Sequence, residues 1–461
     1  MASGGCGLLP GPTASWYALV FRKLLSLNKL AESPHAVAGP RLPMIVREVF
    51  ENGVRLITET VDHVRSVSVG VWLTRGSRHE PIEHGGIAHF VEHMLFKGTD
   101  SRSAEDIAQQ VDSLGGHLDA FTSKEYAGYY IKVLDEHLPI AMDVLSDLVL
   151  RPAFKPDDVE REKKVILEEI KMVEDTPDDL VHELFTQSFW DGHPLGRPIL
   201  GSVESVTALT PQVLRAYFQD VYTARHLVIV AVGNVTHDRM RELVMPAFGS
   251  LPAAGDTVVD DPPANIAHAQ VRVKDLEQSH VCLGTSGYPQ SHEDRHAAYV
   301  LNTMLGGSMS SRLFQNVRER RGLAYAVFSN LAAYRDTGSL TIYAGCADSA
   351  VRELLTVVVD ELRGMKVEPP EAELRRAKDH LKGSLMLSLE STSSRMSNLA
   401  RQEMYFDRQF GLDETIEGIE RVTAADVVRV ARDLFANGSL GATVLGQQGG
   451  LDLSAAQLDL G

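Results

Sequence analysis

The chain has 461 residues, 44% hydrophobic and 23% charged, the proportions of a soluble globular protein with room for two to four domains. Its 45 Lys and Arg stand against 62 Asp and Glu, a net charge of −17, which argues against the basic footprint of a nucleic-acid binder. No apolar run approaches the roughly 18 to 20 residues of a membrane span, and three scattered cysteines, Cys6, Cys282 and Cys346, favour a reducing compartment over a disulfide framework.

Residues 1–43 hold one acidic residue, Glu32, with several Gly and Pro, and Trp16 to Leu30 could form a basic amphipathic helix. Three readings stay open: an organelle presequence, a disordered tail, or sequence ahead of a true start near Met44. From Met44 onward, strands and helices alternate. "GVRLITETV" and "SVSVGVWLT" are rich in β-formers. In the second, Val67, Val69, Val71 and Leu73 alternate with Ser66, Ser68, Gly70 and Trp72, a period of two. Helices are predicted around 84–97, 103–114, 136–150 and 157–174, the last with Asp157 as its N-cap. A helix near 211–221, a strand at 226–233 and a helix near 236–247 follow. The Pro/Ala/Asp-rich stretch 251–267 then reads as a linker.

Beyond the linker the pattern returns. "IAHFVEHML" (87–95) aligns with "AAYVLNTML" (297–305), and 200–218 aligns with 416–435. The chain is therefore read as α+β, with two homologous halves of roughly 200 residues each. The expected division is an extension at 1–43, a first half at 44–250, the linker, a second half at 268–447, and a tail at 448–461.

The chemistry concentrates in the first half. His89 and His93 are four residues apart on a predicted helix, so both can face one ion, and Glu92 lies on nearly the same face. Zinc takes imidazole and carboxylate ligands and, in catalytic sites, keeps one position for water. Glu92 is then the natural base. A chance H-x-x-E-H in a chain of 17 histidines has a probability of roughly a few percent. A third ligand must come from elsewhere. "REKKVILEEIKM" offers Glu162, Glu168 and Glu169; the first and last share a face, and Glu168 is turned about 100° away. Val165, Ile166 and Ile170 would bury part of this helix; a solvated face with salt bridges is the competing reading. In the second half Tyr299, Asn302 and Thr303 replace His89, Glu92 and His93, so the motif occurs once.

H-x-x-E-H is the inverzincin order. With "GGIAHFVEHMLFKGT", "GGHLDAFTSKEYAGYY" and "ILEEI", the chain resembles the pitrilysin-like zinc metallopeptidases from about Met44 to Gly446. The resemblance is strongest to the branch of mitochondrial processing peptidase and its bacterial relatives. It implies two LuxS/metallohydrolase-like halves, each a mixed or antiparallel sheet with helices on one face, forming a clamshell. It implies one Zn²⁺ per chain on His89, His93 and Glu169, with Glu92 as base and Glu162 as an outer partner of the ligands. "GGSMSSRLFQNVRERRGLAYAVFSN" (306–330) resembles the segment that completes the site from the metal-free half, which assigns oxyanion stabilisation to Arg318 and Tyr325. Asp119, Ala120, Phe121 and Thr122 would form the strand edge that takes an extended substrate by β-augmentation. Asp119 departs from the asparagine associated with that position, and Glu125 is a candidate for orienting the site.

The implied activity is zinc-dependent endopeptidase action on peptides, unfolded polypeptides or presequence-like segments, with the linker letting the halves open and close. The alternative is a non-catalytic structural or substrate-binding subunit of a heteromeric peptidase or respiratory assembly. Such subunits lose H-x-x-E-H and often lengthen the glycine-rich loop near 306–310; neither holds here. A homodimer or a heterodimer with a related subunit fits the resemblance. The compartment is expected to be the cytoplasm, or the mitochondrial matrix if residues 1–43 are a presequence.

Overall fold

In the computed structural model, residues 45–254, 261–447, 451, 453 and 458–461 are described. The readings of residues 1–43 lie outside them. A six-stranded sheet is built first, from β1 (Ile45–Val49), β2 (Arg55–Thr60), β3 (Ser66–Leu73), β4 (His117–Thr122), β5 (Ala127–Leu134) and β6 (Leu227–Gly233). Its order is β1-β2-β6-β3-β5-β4, with β2 and β6 parallel and every other pair antiparallel. A five-stranded sheet follows, from β7 (Ala269–Val273), β8 (Ser279–Gly287), β9 (Ala324–Ala333), β10 (Gly338–Cys346) and β11 (Gly441–Gly446). Its order, β7-β11-β8-β10-β9, repeats the first with β1 removed, including the parallel pair. The duplication read from the sequence is thus a duplication of topology.

Helices α1 (Ile87–Leu95), α2 (Ala104–Ser113), α3 (Leu138–Leu150), α4 (Pro156–Asp175), α5 (Pro177–Phe189), α6 (Val203–Ala208), α7 (Pro211–Val221) and α8 (His237–Phe248) belong to the first half. α1 and α3 bury Phe90, Val91, Met94, Leu145 and Leu148 against Val67, Val69 and Val71. At α4, Pro156 occupies the first helical position and Lys155 is the N-cap, two residues earlier than the expected Asp157. Proline's fixed φ suits that first position, and Asp157 and Asp158 then sit in the first turn, where an anion meets the positive end of the helix dipole.

The second half contributes α9 (Arg295–Leu305), α10 (Val351–Met365), α11 (Glu371–Ser388), α12 (Thr392–Phe406), α13 (Leu412–Glu420) and α14 (Ala424–Leu434). Its core also takes up Leu451, Leu453, Leu458 and Leu460. The terminal segment, read from the sequence as a tail, therefore supplies buried leucines, and Lys366 Nζ donates to the carbonyl of Leu460 at 2.7 Å.

The period-two pattern of β3 implies one buried face, yet residues Val67 to Leu73 are all buried. The cause is α12, which crosses from the second half and packs Met396, Leu399, Ala400 and Met404 on Trp72, Val228, Val230 and Val232. Its counterpart α5 does the reverse. Val181, Leu184, Phe185 and Phe189 lie against Cys282, Tyr343 and Leu445 of the second sheet. Each fully buried side chain of this size contributes about 1.5–3 kcal/mol, so the two halves are fastened by exchanged helices. The expected opening about the linker finds no support in this packing. The described linker residues are themselves tied to the first half: Asn265 Oδ1 accepts from Trp190 Nε1 at 2.7 Å, and Ile266 N donates to the Phe189 carbonyl.

Candidate active site

Residues 87–95 form the helix the spacing predicted, entered through Gly86 at φ +90°, a conformation that L side chains rarely adopt. A Cβ at Gly86 would also sit 2.5 Å from the Leu200 carbonyl oxygen, so the helix start is fixed by backbone contact. From this helix His89 and His93 project to one side, with ring centroids 4.6 Å apart. α4 packs on this helix and brings Glu169 opposite them. His89 Nε2 lies 3.8 Å and His93 Nε2 3.7 Å from the two Glu169 oxygens. Ligand atoms of the three residues fall within 4.8 Å of one another, and no other such group of His, Cys, Asp and Glu occurs among the described residues.

These separations test the fit to a metal. They are too long for hydrogen bonds and close to the ~3.4 Å between two ligands bonded at about 2.0–2.1 Å to a tetrahedral zinc. Burial, with a smaller contribution from His93, pushes the His89 pKa down to about 3, so its ring is neutral, the form that ligates. His93 Nδ1 is engaged by Glu162 Oε2 at 3.1 Å, which leaves Nε2 toward Glu169. Glu162 is nearly buried, and its other oxygen pairs with Lys97 Nζ at 2.8 Å. Glu168 turns away as the helical geometry required, exposed and bound to Lys171 Nζ at 2.7 Å. Val165, expected to help bury α4, is exposed, and Ile166 alone of the three apolar residues is fully buried.

Glu92 lies beside the cluster rather than in it. Thr122 Oγ1, at the end of β4, donates to Glu92 Oε2. Burial raises the Glu92 pKa, while the Thr122 hydrogen bond and His93 pull it down and Asp119 and Glu169 push it up. The net effect is a carboxyl raised above its ordinary range, the direction that favours a general base.

β4 is the last strand of its sheet, so one of its edges is open among the described residues. Leu118 and Ala120 pack toward the helices, and Thr122 faces Glu92. Asp119 and Phe121 face the opposite side, where Tyr130 donates to Asp119 Oδ2 at 2.8 Å and its ring lies 6.4 Å from that of Phe121. That outer side opens into a cavity of about 380 Å³ lined by Phe121, Tyr130, Leu389, Ser394, Asn398 and Arg401, among others.

Two expected site residues are brought together elsewhere. Arg318, in the π-helical turn Phe314–Glu319, stacks its guanidinium 4.6 Å above the Tyr325 ring, and Tyr325 is 80% exposed near the start of β9. The far end of β9 meets the first half, where Arg335 N donates to Glu125, so Tyr325 stands about 30 Å back along the strand. Among the described residues, neither Arg318 nor Tyr325 has a hydrogen bond or ion pair to His89, Glu92, His93 or Glu169. Arg318 and Tyr325 thus pair with each other on the second half, at the end of β9 remote from Arg335. Glu125, a candidate for orienting the site, instead joins the halves, accepting from Arg78 Nη1 at 2.8 Å and Tyr405 Oη at 2.8 Å. Sequence reasoning missed Lys97, four residues after His93 just past the helix end, and Glu80, whose carboxylate takes two helix-start amides from a loop.

Residues 55–203 match the family model described as Insulinase (Peptidase family M16), and residues 208–381 match the one described as Peptidase M16 inactive domain. The join between the two models precedes β6, although β6 belongs to the first sheet. The uncharacterized zinc protease YmxG of Bacillus subtilis is 44% identical over 393 residues, which is 85% of this chain and 96% of that protein. An uncharacterized zinc protease of Mycobacterium bovis is 42% identical over 426 residues, 90% of this chain and 95% of its own. The crystal structure of a protease from Helicobacter pylori superimposes with a TM-score of 0.81 at 24% identity, covering 88% of this chain and all of that one, a likeness of fold. By its sequence matches and its duplicated mixed sheets, the chain belongs to peptidase family M16.

Proposed function

We propose that the protein is a zinc-dependent endopeptidase acting on peptides or unfolded polypeptide segments, presequence-like ones included. The observation that carries this reading is the convergence of His89, His93 and Glu169 with Glu92 beside them and Thr122 linking Glu92 to an open strand edge. His89 and His93 through Nε2, and Glu169 through its carboxylate, would hold one zinc per chain. When bound, zinc supplies a Lewis acid and an acidified water. Glu92 would serve as the base that takes a proton from the attacking water and as the acid that returns it to the departing amine, and Thr122 keeps its Oε2 oriented for both transfers. An extended substrate adds to the free edge of β4 through main-chain hydrogen bonds, its side chains alternating between the metal side and the outer side of Asp119 and Phe121.

Arg318 and Tyr325 act on the developing oxyanion from a second chain, a copy of this one or a related subunit. The exposure of Tyr325 and its distance along β9 support a dimer in which the substrate chamber lies between chains. The proposed domain limits are 44–250 and 268–447, joined by 251–267. The bacterial relatives and the cysteine usage support a cytoplasmic location. No helix of the described residues is long and apolar enough to cross a membrane.

The test combines zinc analysis with cleavage of an internally quenched peptide. Glu92→Gln should retain zinc and lose cleavage; Glu169→Gln should lose zinc, and Glu168→Gln neither. Full cleavage by Glu92→Gln would overturn the assignment of the base.

A further inference from the structure

The loop ahead of the metal-binding helix carries two buried charged residues that the proposed chemistry does not use. Its backbone is stitched to the turn that ends β4: Ser77 N donates to the Ser123 carbonyl at 3.1 Å and Arg78 N to the Lys124 carbonyl at 2.7 Å. Glu80 is 5% exposed, and its two oxygens divide between Gly86 N at 2.9 Å and Ala88 N at 2.8 Å. These are amides that the start of an α-helix leaves without intrahelical partners. The N-cap residue is Gly86 and has no side chain to offer. The acceptor therefore comes from six residues upstream, and its charge sits at the positive end of the helix dipole. Ala88 is the neighbour of His89, so this pair of bonds fixes the first turn of the helix from which His89, Glu92 and His93 project.

Arg78, two residues earlier, reaches the other half of the molecule. Its Nη1 donates to Glu125 Oε1 at 2.8 Å and to Asp336 Oδ1 at 2.7 Å, and Asp336 lies in the turn between β9 and β10. Glu125 accepts in addition from Arg335 N and from Tyr405 Oη, both second-half groups. Arg197 Nη2 closes the loop onto the Glu80 carbonyl at 2.9 Å. Buried charges are costly to keep unless each is paired; here Glu80 pairs with the helix start, and Arg78 with the turn after the substrate strand and with the metal-free half.

We propose that Glu80 is a positioning residue for the metal-binding helix, and that the Arg78–Asp336 pair couples its placement to the metal-free half. The inference rests on the zinc-peptidase reading above. It assigns that half a second role within its own chain, the bracing of helix start and strand end together. Burial raises the Glu80 pKa to about 7 against the pull of the two amides, Arg197 and Lys124, so measurements belong at pH 8, where the carboxylate is charged.

Glu80→Gln, Glu80→Asp and Asp336→Asn are made in the full chain. Zinc affinity is read by competition with a chelator, the ligand field by the visible spectrum of the cobalt-substituted protein, and kcat and KM on zinc-loaded enzyme. Gln turns an amide N–H₂ toward one of the two backbone donors. Glu80→Gln should weaken zinc on the order of tenfold, shift the cobalt spectrum, and lower kcat by a similar factor with little change in KM. Glu80→Asp should recover part of the loss, and Asp336→Asn, which touches no ligand, should lower kcat less but in the same direction. If Glu80→Gln does not fold, Arg78→Lys decides by the same three readings. Variants with lowered thermal stability but wild-type zinc affinity, cobalt spectrum and kcat overturn the brace alone. A wild-type chain that neither binds zinc nor cleaves peptide overturns the functional reading and the brace with it.

Discussion

Glu162 touches no substrate and no reacting atom, yet its replacement by Gln should be among the more damaging changes to metal binding. Its Oε2 lies 3.1 Å from His93 Nδ1 and its Oε1 2.8 Å from Lys97 Nζ, and the residue is 5% exposed. Glu162→Gln keeps the shape and removes the charge. One amide face can still accept, but the other places an N–H₂ against either the imidazole N–H or the ammonium. A hydrogen bond to a charged group contributes about 1.5–3 kcal/mol net, and burial spares this one most of the screening that weakens surface pairs. At about 1.4 kcal/mol per decade the loss corresponds to zinc binding weakened roughly 10- to 100-fold. That range matches the usual effect of losing a partner that orients a ligating histidine. Competition with a chromophoric chelator measures the dissociation constant directly, and Glu168→Gln is the control, since Glu168 is exposed on the same helix and bound to Lys171. Zinc affinity within threefold of wild type in Glu162→Gln would refute the reasoning. His93 would then owe its orientation to the helix backbone and the neighbouring His89 ring rather than to the carboxylate.

Three further outcomes follow from the same structure. Mixing a His89→Ala chain with an Arg318→Ala chain should restore part of the cleavage that each lacks alone, because one pairing in the mixed dimer holds an intact metal set opposite an intact Arg318–Tyr325 pair; no recovery, with mixed dimers seen by native mass spectrometry, would refute completion between chains. Phe185→Ala removes a ring that is 2% exposed, stacks on Phe189 at 5.1 Å and lies over Gly284 of β8. Urea titration should show a loss of about 3–5 kcal/mol, and a loss under about 1 kcal/mol would mean the exchanged helix is dispensable. His79 is held neutral mainly by burial, with Arg75 and Arg78 adding to the effect, and its pKa falls from 6.5 to about 3. Below pH 6.5 the unfolded chain binds a proton that the folded one refuses, so this group's contribution is intact above pH 6.5. It diminishes toward pH 3 by up to about 1.4 kcal/mol per pH unit. His79→Gln should flatten the acid limb of the stability profile by about one proton.

What could be read in the sequence, and what could not, divides along the range of the physics involved. His89 and His93 were legible because i and i+4 share a helix face whatever surrounds the helix. Glu162, Glu168 and Glu169 sorted correctly for the same reason, and the repeat of "IAHFVEHML" as "AAYVLNTML" foretold a second sheet of matching order. Glu80 escaped notice because no periodicity ties a loop carboxylate to amides six and eight residues on. Arg318 and Tyr325 carry a recognisable spacing, but spacing along a chain says nothing of which way the strand after it will run. The strand β3 was legible from its period of two, but the burial of its second face was not. Only α12, more than 300 residues later, accounts for the burial of Ser68, Gly70 and Trp72. Ser68 Oγ even pairs with Thr392 Oγ1 at the helix start, at 2.9 Å. This exchange bears on what a half without the metal motif does for the other. Without α12, Trp72, Val228, Val230 and Val232 would lie open to water at about 1.5–3 kcal/mol each. Without Asp336 and Tyr405, Arg78 and Glu125 would be buried with fewer partners. The second half cannot be removed without unsettling the first, so this half, with Tyr299, Asn302 and Thr303 at the matching positions, has a structural task beyond the role proposed for Arg318 and Tyr325.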